Sequence, residues 1–206
     1  MARQTVTRRE AKERTRQALL DAALAVLDEQ GEPGLTTTAV TQRAGIAQSS
    51  FYVHFADMDE LLRHLVDQLW DERRTATYQA GVASRRHGDP PAAAVRELFR
   101  ATVTRLVAHP EVLRLVMRRR LDPGPLGDRL RAQLDTSRAN LARGLAAGGA
   151  PDATREDRRR LAMRADGLIA MVDALALGHL DGRYPDVDEI LDVLVSVSTR
   201  GRARAG

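Results

Sequence analysis

Gly34-Leu35-Thr36-Thr37-Thr38-Ala39-Val40-Thr41-Gln42-Arg43-Ala44-Gly45-Ile46-Ala47-Gln48-Ser49-Ser50-Phe51-Tyr52-Val53-His54-Phe55 decides the fold. Its pattern predicts two short helices, over 37–43 and 48–54, joined by a tight turn at Ala44-Gly45-Ile46. Gly45 suits the left-handed conformation that ends the first of them. Val40, Ile46, Phe51 and Phe55 are placed to pack inward and fix the angle between the pair. Gln48, Ser49, Ser50, Tyr52, Val53 and His54 are then left near the outer side of the second helix.

That outer side has the chemistry of a DNA-reading head. Gln pairs with adenine through two hydrogen bonds, Ser contacts base or phosphate, and Val53 suits a thymine methyl. Tyr and His donate to phosphate oxygens. The hydroxyls of Thr36 and Thr37 stand where a helix N-terminus presents open backbone amides, a setting suited to an anion. Arg43 joins the candidate DNA-contacting set, because a guanidinium grips phosphate with two parallel hydrogen bonds.

Outward from this stretch, apolar residues recur at helical spacing almost everywhere. Leu19, Ala22, Ala23, Val26 and Leu27 draw one buried stripe on a preceding helix that Gly31 ends. A following helix starts near Asp57, carries Leu61, Leu62, Leu65, Val66, Leu69 and Trp70, and runs to about Val82. Arg85–Pro91 reads as a break, and Pro110 as the first turn of a later helix. The last two helices, with Leu168, Val172 and Leu175 and then Ile190, Leu191 and Leu194, are the most apolar. No stretch reads as a paired strand. The expected class is all-α, with about nine helices.

Hydrophobic residues make up 43% and aromatics only 3% of the 206, which favours helices over a β-sandwich. The balance of 32 basic and 28 acidic residues, net +4, suggests a polyanion partner only weakly. Placement says more: Arg3, Arg8, Arg9, Lys12, Arg14 and Arg16 crowd the start of the chain. Two readings stand for them, an arm lying on DNA phosphates or in the minor groove, and a solvated tail. The absence of cysteine excludes disulfides, thiolate metal sites and cysteine catalysis. With no signal-peptide pattern and no spanning segment, the expectation is a soluble, cytoplasmic protein with no membrane association.

Four short motifs carry a resemblance. Gly34-Leu35-Thr36-Thr37, Ala44-Gly45-Ile46, Tyr52-Val53-His54-Phe55 and Asp59-Glu60-Leu61 resemble the entry, turn, exit and next-helix start of the TetR family of repressors. The resemblance implies a three-helix DNA-binding domain, placed at residues 1–56, and a larger helical ligand-binding and dimerisation domain at 57–206. It implies phosphate contacts from Thr37, Tyr52 and His54, and base contacts from Gln48, Ser49, Ser50 and Val53. Three residues depart from the family pattern. Met58 stands where many members carry a phosphate-reaching Lys, Ala47 replaces a common Ser cap, and Thr41 replaces a small Ala.

The same resemblance implies a homodimer through the last two helices, a palindromic operator with half-sites one helical turn or more apart, and release by a small-molecule effector. The apolar character of those helices supports the dimer independently. Candidate effector contacts are Trp70, Phe99, Val103, Met117, Leu134, Asp166 and Met171. Asp166 and Asp173 either bind a polar or cationic ligand group or pair with arginines such as Arg118 or Arg164, and ion pairing is the favoured reading. A regulator without an effector is the alternative. No cofactor or metal site is expected: the five histidines are scattered, with no metal-ligand spacing beside a carboxylate. No phosphate-binding loop, dinucleotide glycine pattern or Gly-x-Ser-x-Gly turn appears, so an enzyme is not expected.

Overall fold

Thr7 starts the first helix with a reciprocal cap. Its hydroxyl accepts from the Glu10 amide at 3.2 Å, and the Glu10 carboxylate accepts from the Thr7 amide at 2.6 Å. A computed structural model describes residues 7–87, 91–146 and 154–200. Helix α1 (Arg8–Gly34) kinks at Gly31, whose φ of 69° only glycine adopts at no cost. The expected stop at Gly31 is thus a bend followed by one further turn. Residues 8–16 are helical, so from Arg8 onward the basic start is neither an arm nor a tail; Arg3 lies outside the described residues.

Helices α2 (Thr37–Ala44) and α3 (Gln48–Phe51) follow. The second is shorter than expected, because residues 52–54 form a turn. There the Val53 and His54 amides bond three residues back, to Ser50 and Phe51. The tighter winding carries Phe55 into the core, where it is 1% exposed. Six longer helices complete the described chain: α4 (Met58–His87), α5 (Pro91–Ala108), α6 (Pro110–Arg119), α7 (Pro125–Ala146), α8 (Arg155–Leu180) and α9 (Val187–Arg200). Helix α4 absorbs Arg85–His87, residues that carry no helix-breaking chemistry; Gly88 and Pro90 lie outside the described residues. The nine helices are accompanied by no strand among the described residues.

Two apolar cores hold this array. The first joins Leu19 and Leu27 of α1, Val40, Phe51 and Phe55 to Leu61 and Leu65 of α4, Leu115 of α6 and Leu130 of α7. It therefore runs without interruption across the start of α4. The second gathers Phe99 and Val103 of α5, Leu168 and Val172 of α8, and Ile190, Leu191 and Leu194 of α9. No described helix is long and apolar enough to cross a membrane.

Candidate functional site

Helix α2 is capped by the Thr36 hydroxyl, which accepts from the Ala39 amide at 3.1 Å. Gly45, at φ 67°, ends the helix in the left-handed region. The Ile46 amide then bonds back to the Thr41 carbonyl at 3.0 Å and re-aims the chain into α3. Val40 and Phe51, both 0% exposed, form the floor under the turn, and Ile46 is half-buried against it. Gln48 and Ser49 are exposed, Ser50 is half-buried, and Tyr52 and Val53 are 60% and 65% exposed. Thr37 is half-buried in the first turn of α2. The Gln48 amide group donates to the Thr38 hydroxyl at 3.3 Å, which orients it beside α2. The Tyr52 ring packs edge-on against Phe51 with centroids 5.4 Å apart.

Arg43 is placed differently from the rest of the candidate set. Its guanidinium grips the Glu29 carboxylate of α1 through both terminal nitrogens. That pairing is satisfied within the head, so a phosphate would have to compete with a carboxylate already in place. His54 is half-buried, with its Nδ1 buried and without a hydrogen-bond partner among the described residues. Burial pushes its imidazole below the ordinary range, and the nearby cations Lys12 and Arg16 push the same way. At neutral pH it is an uncharged donor, not a cation.

Lys12 and Arg16, which the sequence offers only as part of a basic arm or tail, stand on α1 beside the reading turn. The Arg16 guanidinium donates to the His54 carbonyl at 3.3 Å and lies 4.7 Å from the Phe55 ring centroid. The first turns of α1 thus flank the reading turn with positive charge. The signal was available: Arg8, Lys12 and Arg16 recur at the spacing of one helix face.

A cavity of about 610 Å³ opens between the two cores. Of the candidate effector contacts, Trp70, Phe99, Met117 and Leu134 line it. Val103, Met171 and Asp166 do not. Val103 is fully buried inside the second core, and Met171 packs against that core. Asp166 is exposed and pairs with Arg138 at 3.0 Å. Neither arginine offered as a partner takes it: Arg118 holds Glu32, and Arg164 donates to the Ser198 carbonyl. Asp173, seven residues on, is 9% exposed and does line the cavity.

Residues 19–65 match the family model described as bacterial regulatory proteins, tetR family. That stretch, under a quarter of the chain, is what is similar to the TetR family. A helix-turn-helix-type transcriptional regulator of Haemophilus influenzae is 50% identical over 58 residues, 28% of this chain and 28% of that protein. The regulator BetI of Burkholderia ambifaria is 41% identical over 75 residues, 34% of this chain and 37% of its own length. Those matches span only 28% and 37% of the relatives' own lengths. A transcriptional regulator from Rhodococcus sp. Rha1 shares the fold over 90% of this chain and 96% of its own, with a TM-score of 0.71 at 23% identity.

The three departures from the TetR pattern each have a structural consequence. Thr41 is 2% exposed and satisfies its hydroxyl by donating to the Thr37 carbonyl at 2.8 Å. Ala47, at the N-cap of α3, makes no side-chain cap. Met58 packs against the first core, so the position usually given to a phosphate-reaching Lys is spent on apolar contact. The cap of α4 is intact, since the Asp57 carboxylate accepts from the Glu60 amide at 2.7 Å.

Proposed function

We propose that the chain is a transcriptional repressor rather than an enzyme, binding a palindromic operator as a homodimer and releasing it when a small molecule fills the interior cavity. The observation that carries this reading is the contrast across α3. Gln48, Ser49, Tyr52 and Val53 face solvent over a floor in which Val40, Phe51 and Phe55 are fully buried. A packing motif alone has no use for that set, whereas a major groove does. In this reading Gln48, Ser49, Ser50 and Val53 read bases, while Thr36, Thr37, Tyr52 and His54 contact phosphate. Lys12 adds a phosphate contact from α1, and Arg43 serves mainly to hold α2 on α1.

The dimer is supported by the outward faces of α8 and α9. Met163, Gly167, Ala170 and Ala174 are exposed at helical spacing on α8, and Val193 and Val197 are exposed on α9. Small and apolar residues there favour close approach of a second copy. Control by an effector is supported by the cavity, because an uncontrolled regulator needs only a filled interior. The division at 56/57 then separates the reading head from the effector and dimer region, with α4 and α6 packed on both.

Selection of bound sequences from a random duplex pool at near-physiological salt, with solution mass measured alongside, tests the core of this reading. An enriched palindrome with a dimer mass is expected. No enrichment would mean the helix-turn-helix is only a packing unit here.

A further inference from the structure

We infer that Thr38 is a positioning residue for base reading: its hydroxyl fixes the Gln48 carboxamide beside α2, and so sharpens base preference at the one operator position that Gln48 meets. This rests on the proposed DNA-reading role of α3.

Helices α2 and α3 are held with unequal firmness. The Thr36 hydroxyl caps the start of α2, and Gly45 closes its end. Within α2 the buried Thr41 hydroxyl donates to the Thr37 carbonyl, and Arg43 ties the helix to Glu29 of α1 through both terminal nitrogens. Helix α3 has four residues, and Ala47 gives it no side-chain cap. Gln48 is the first of the four and is exposed. A glutamine so placed, without a neighbour to hold it, has all its side-chain torsions to order before it meets a base. Swinging freely, its carboxamide offers a donor to guanine or an acceptor to cytosine as well as a pair of bonds to adenine.

Thr38 supplies the neighbour. Its hydroxyl accepts from the Gln48 Nε2 at 3.3 Å, a bond between two exposed side chains on different helices. The nearby Thr36 and Thr41 hydroxyls are bonded inside α2, whereas this one reaches α3. Branching at Cβ restricts the Thr38 rotamers, so the firmness of α2 passes to the amide. A carboxamide has two amide hydrogens and one oxygen. Pairing with adenine takes the oxygen and one hydrogen, which leaves the other for Thr38. The bond and the base contact are therefore compatible, and the bond holds Gln48 in place before DNA arrives.

The operator selected by the unmodified full-length chain is varied one base pair at a time, and the affinity of each duplex is measured for the chain and its variants. Gln48→Ala identifies the position that Gln48 reads. Thr38→Val keeps the side-chain shape without a donor or acceptor; the site is exposed, so the fold is retained, which an unchanged thermal midpoint checks. Thr38→Val is expected to cut discrimination at that same position by about three- to tenfold, with preferences elsewhere and the salt slope unchanged. Thr38→Ser, which restores a hydroxyl, should recover most of it. In the Gln48→Ala background Thr38→Val should do nothing further, because its effect runs through Gln48. An effect that persists in that background, or that falls on another position or on all duplexes alike, would make Thr38 a DNA contact in its own right and overturn the inference. An unchanged profile would overturn it too, and either result leaves the operator reading standing. No enriched operator from the unmodified chain would overturn both.

Discussion

His54 and Gln48 sit within two helical turns of each other and have opposite physical roles. Gln48 is exposed, so removing its amide leaves the fold untouched. Gln48→Ala should relax base preference at one operator position by about 1–3 kcal/mol; an unaltered preference profile in a repeated selection would remove it from base reading. His54 is tied to stability as well as to DNA. Its folded-state pKa is lowered by burial and then by Lys12 and Arg16, and that of His64 is lowered by burial and then by Arg16. The unfolded chain therefore binds more protons than the folded one once the pH drops below the ordinary imidazole value of 6.5. Stability should be level above that value and decline as the pH falls towards 5, ahead of the loss expected when the cap and ion-pair carboxylates of Glu10, Glu29, Asp157 and Asp188, all held below their ordinary pKa, protonate at lower pH. Thermal midpoints taken across pH 5 to 8 check this, and His54→Gln should flatten the upper part of the decline. A midpoint that stays constant over that range would show that burial does not hold these imidazoles neutral.

At the scale of the element, α3 and α1 show how far pattern reading reaches. The Ala44-Gly45-Ile46 turn, the Pro110 start of α6 and the apolar stripes of α1 and α4 were legible because each depends on local backbone chemistry or on helical period alone. The length of α3 was not. Its expected continuation to His54 is cut short by the need to bring Phe55 into the core, a tertiary demand that overrides local winding. The basic start of the chain was read as an arm or a solvated tail, because charge placement alone carries no apolar stripe to mark a helix; from Arg8 onward the Thr7–Glu10 cap makes it the first turns of α1. Two predictions follow from these elements. Ala47→Ser supplies the missing cap of α3 and should raise stability by about 1 kcal/mol, read as a shift in the urea midpoint at constant slope. Lys12→Gln should weaken binding to all duplexes alike and reduce the salt dependence of binding by about one unit in slope, because it would remove one proposed phosphate contact without touching a base. A change in sequence preference, or an unchanged slope, would take Lys12 out of that role.

For the whole molecule, what the sequence conceals is negative space. Phe99 and Val103 share one stripe of α5, yet the first borders the cavity and the second is sealed in the core, since a cavity is defined by where six helices fail to meet. The same holds for Asp166 and Asp173 on α8: equal spacing, opposite surroundings. The faces left outward are the counterpart of that arrangement. On α8 the exposed row of Gly167, Ala170 and Ala174 offers almost no side-chain bulk, and a Cβ added at Gly167 would meet nothing within 4 Å. Such a row contributes nothing to the fold of one subunit, but in the proposed dimer it would let two backbones approach closely. Ala170→Arg should therefore leave helicity and the thermal midpoint of the subunit's own fold nearly unchanged, while converting a dimer mass to a monomer mass in sedimentation. In the proposed reading a palindromic operator is held through two linked half-sites, so its affinity should fall about a hundredfold or more, with binding to a single half-site little affected. Ala139→Arg, exposed on α7 and away from that row, is the matched control and should leave the mass unchanged. A dimer that survives Ala170→Arg would move the interface off the outer face of α8, and the two-fold spacing of the operator would then have to be derived from another surface.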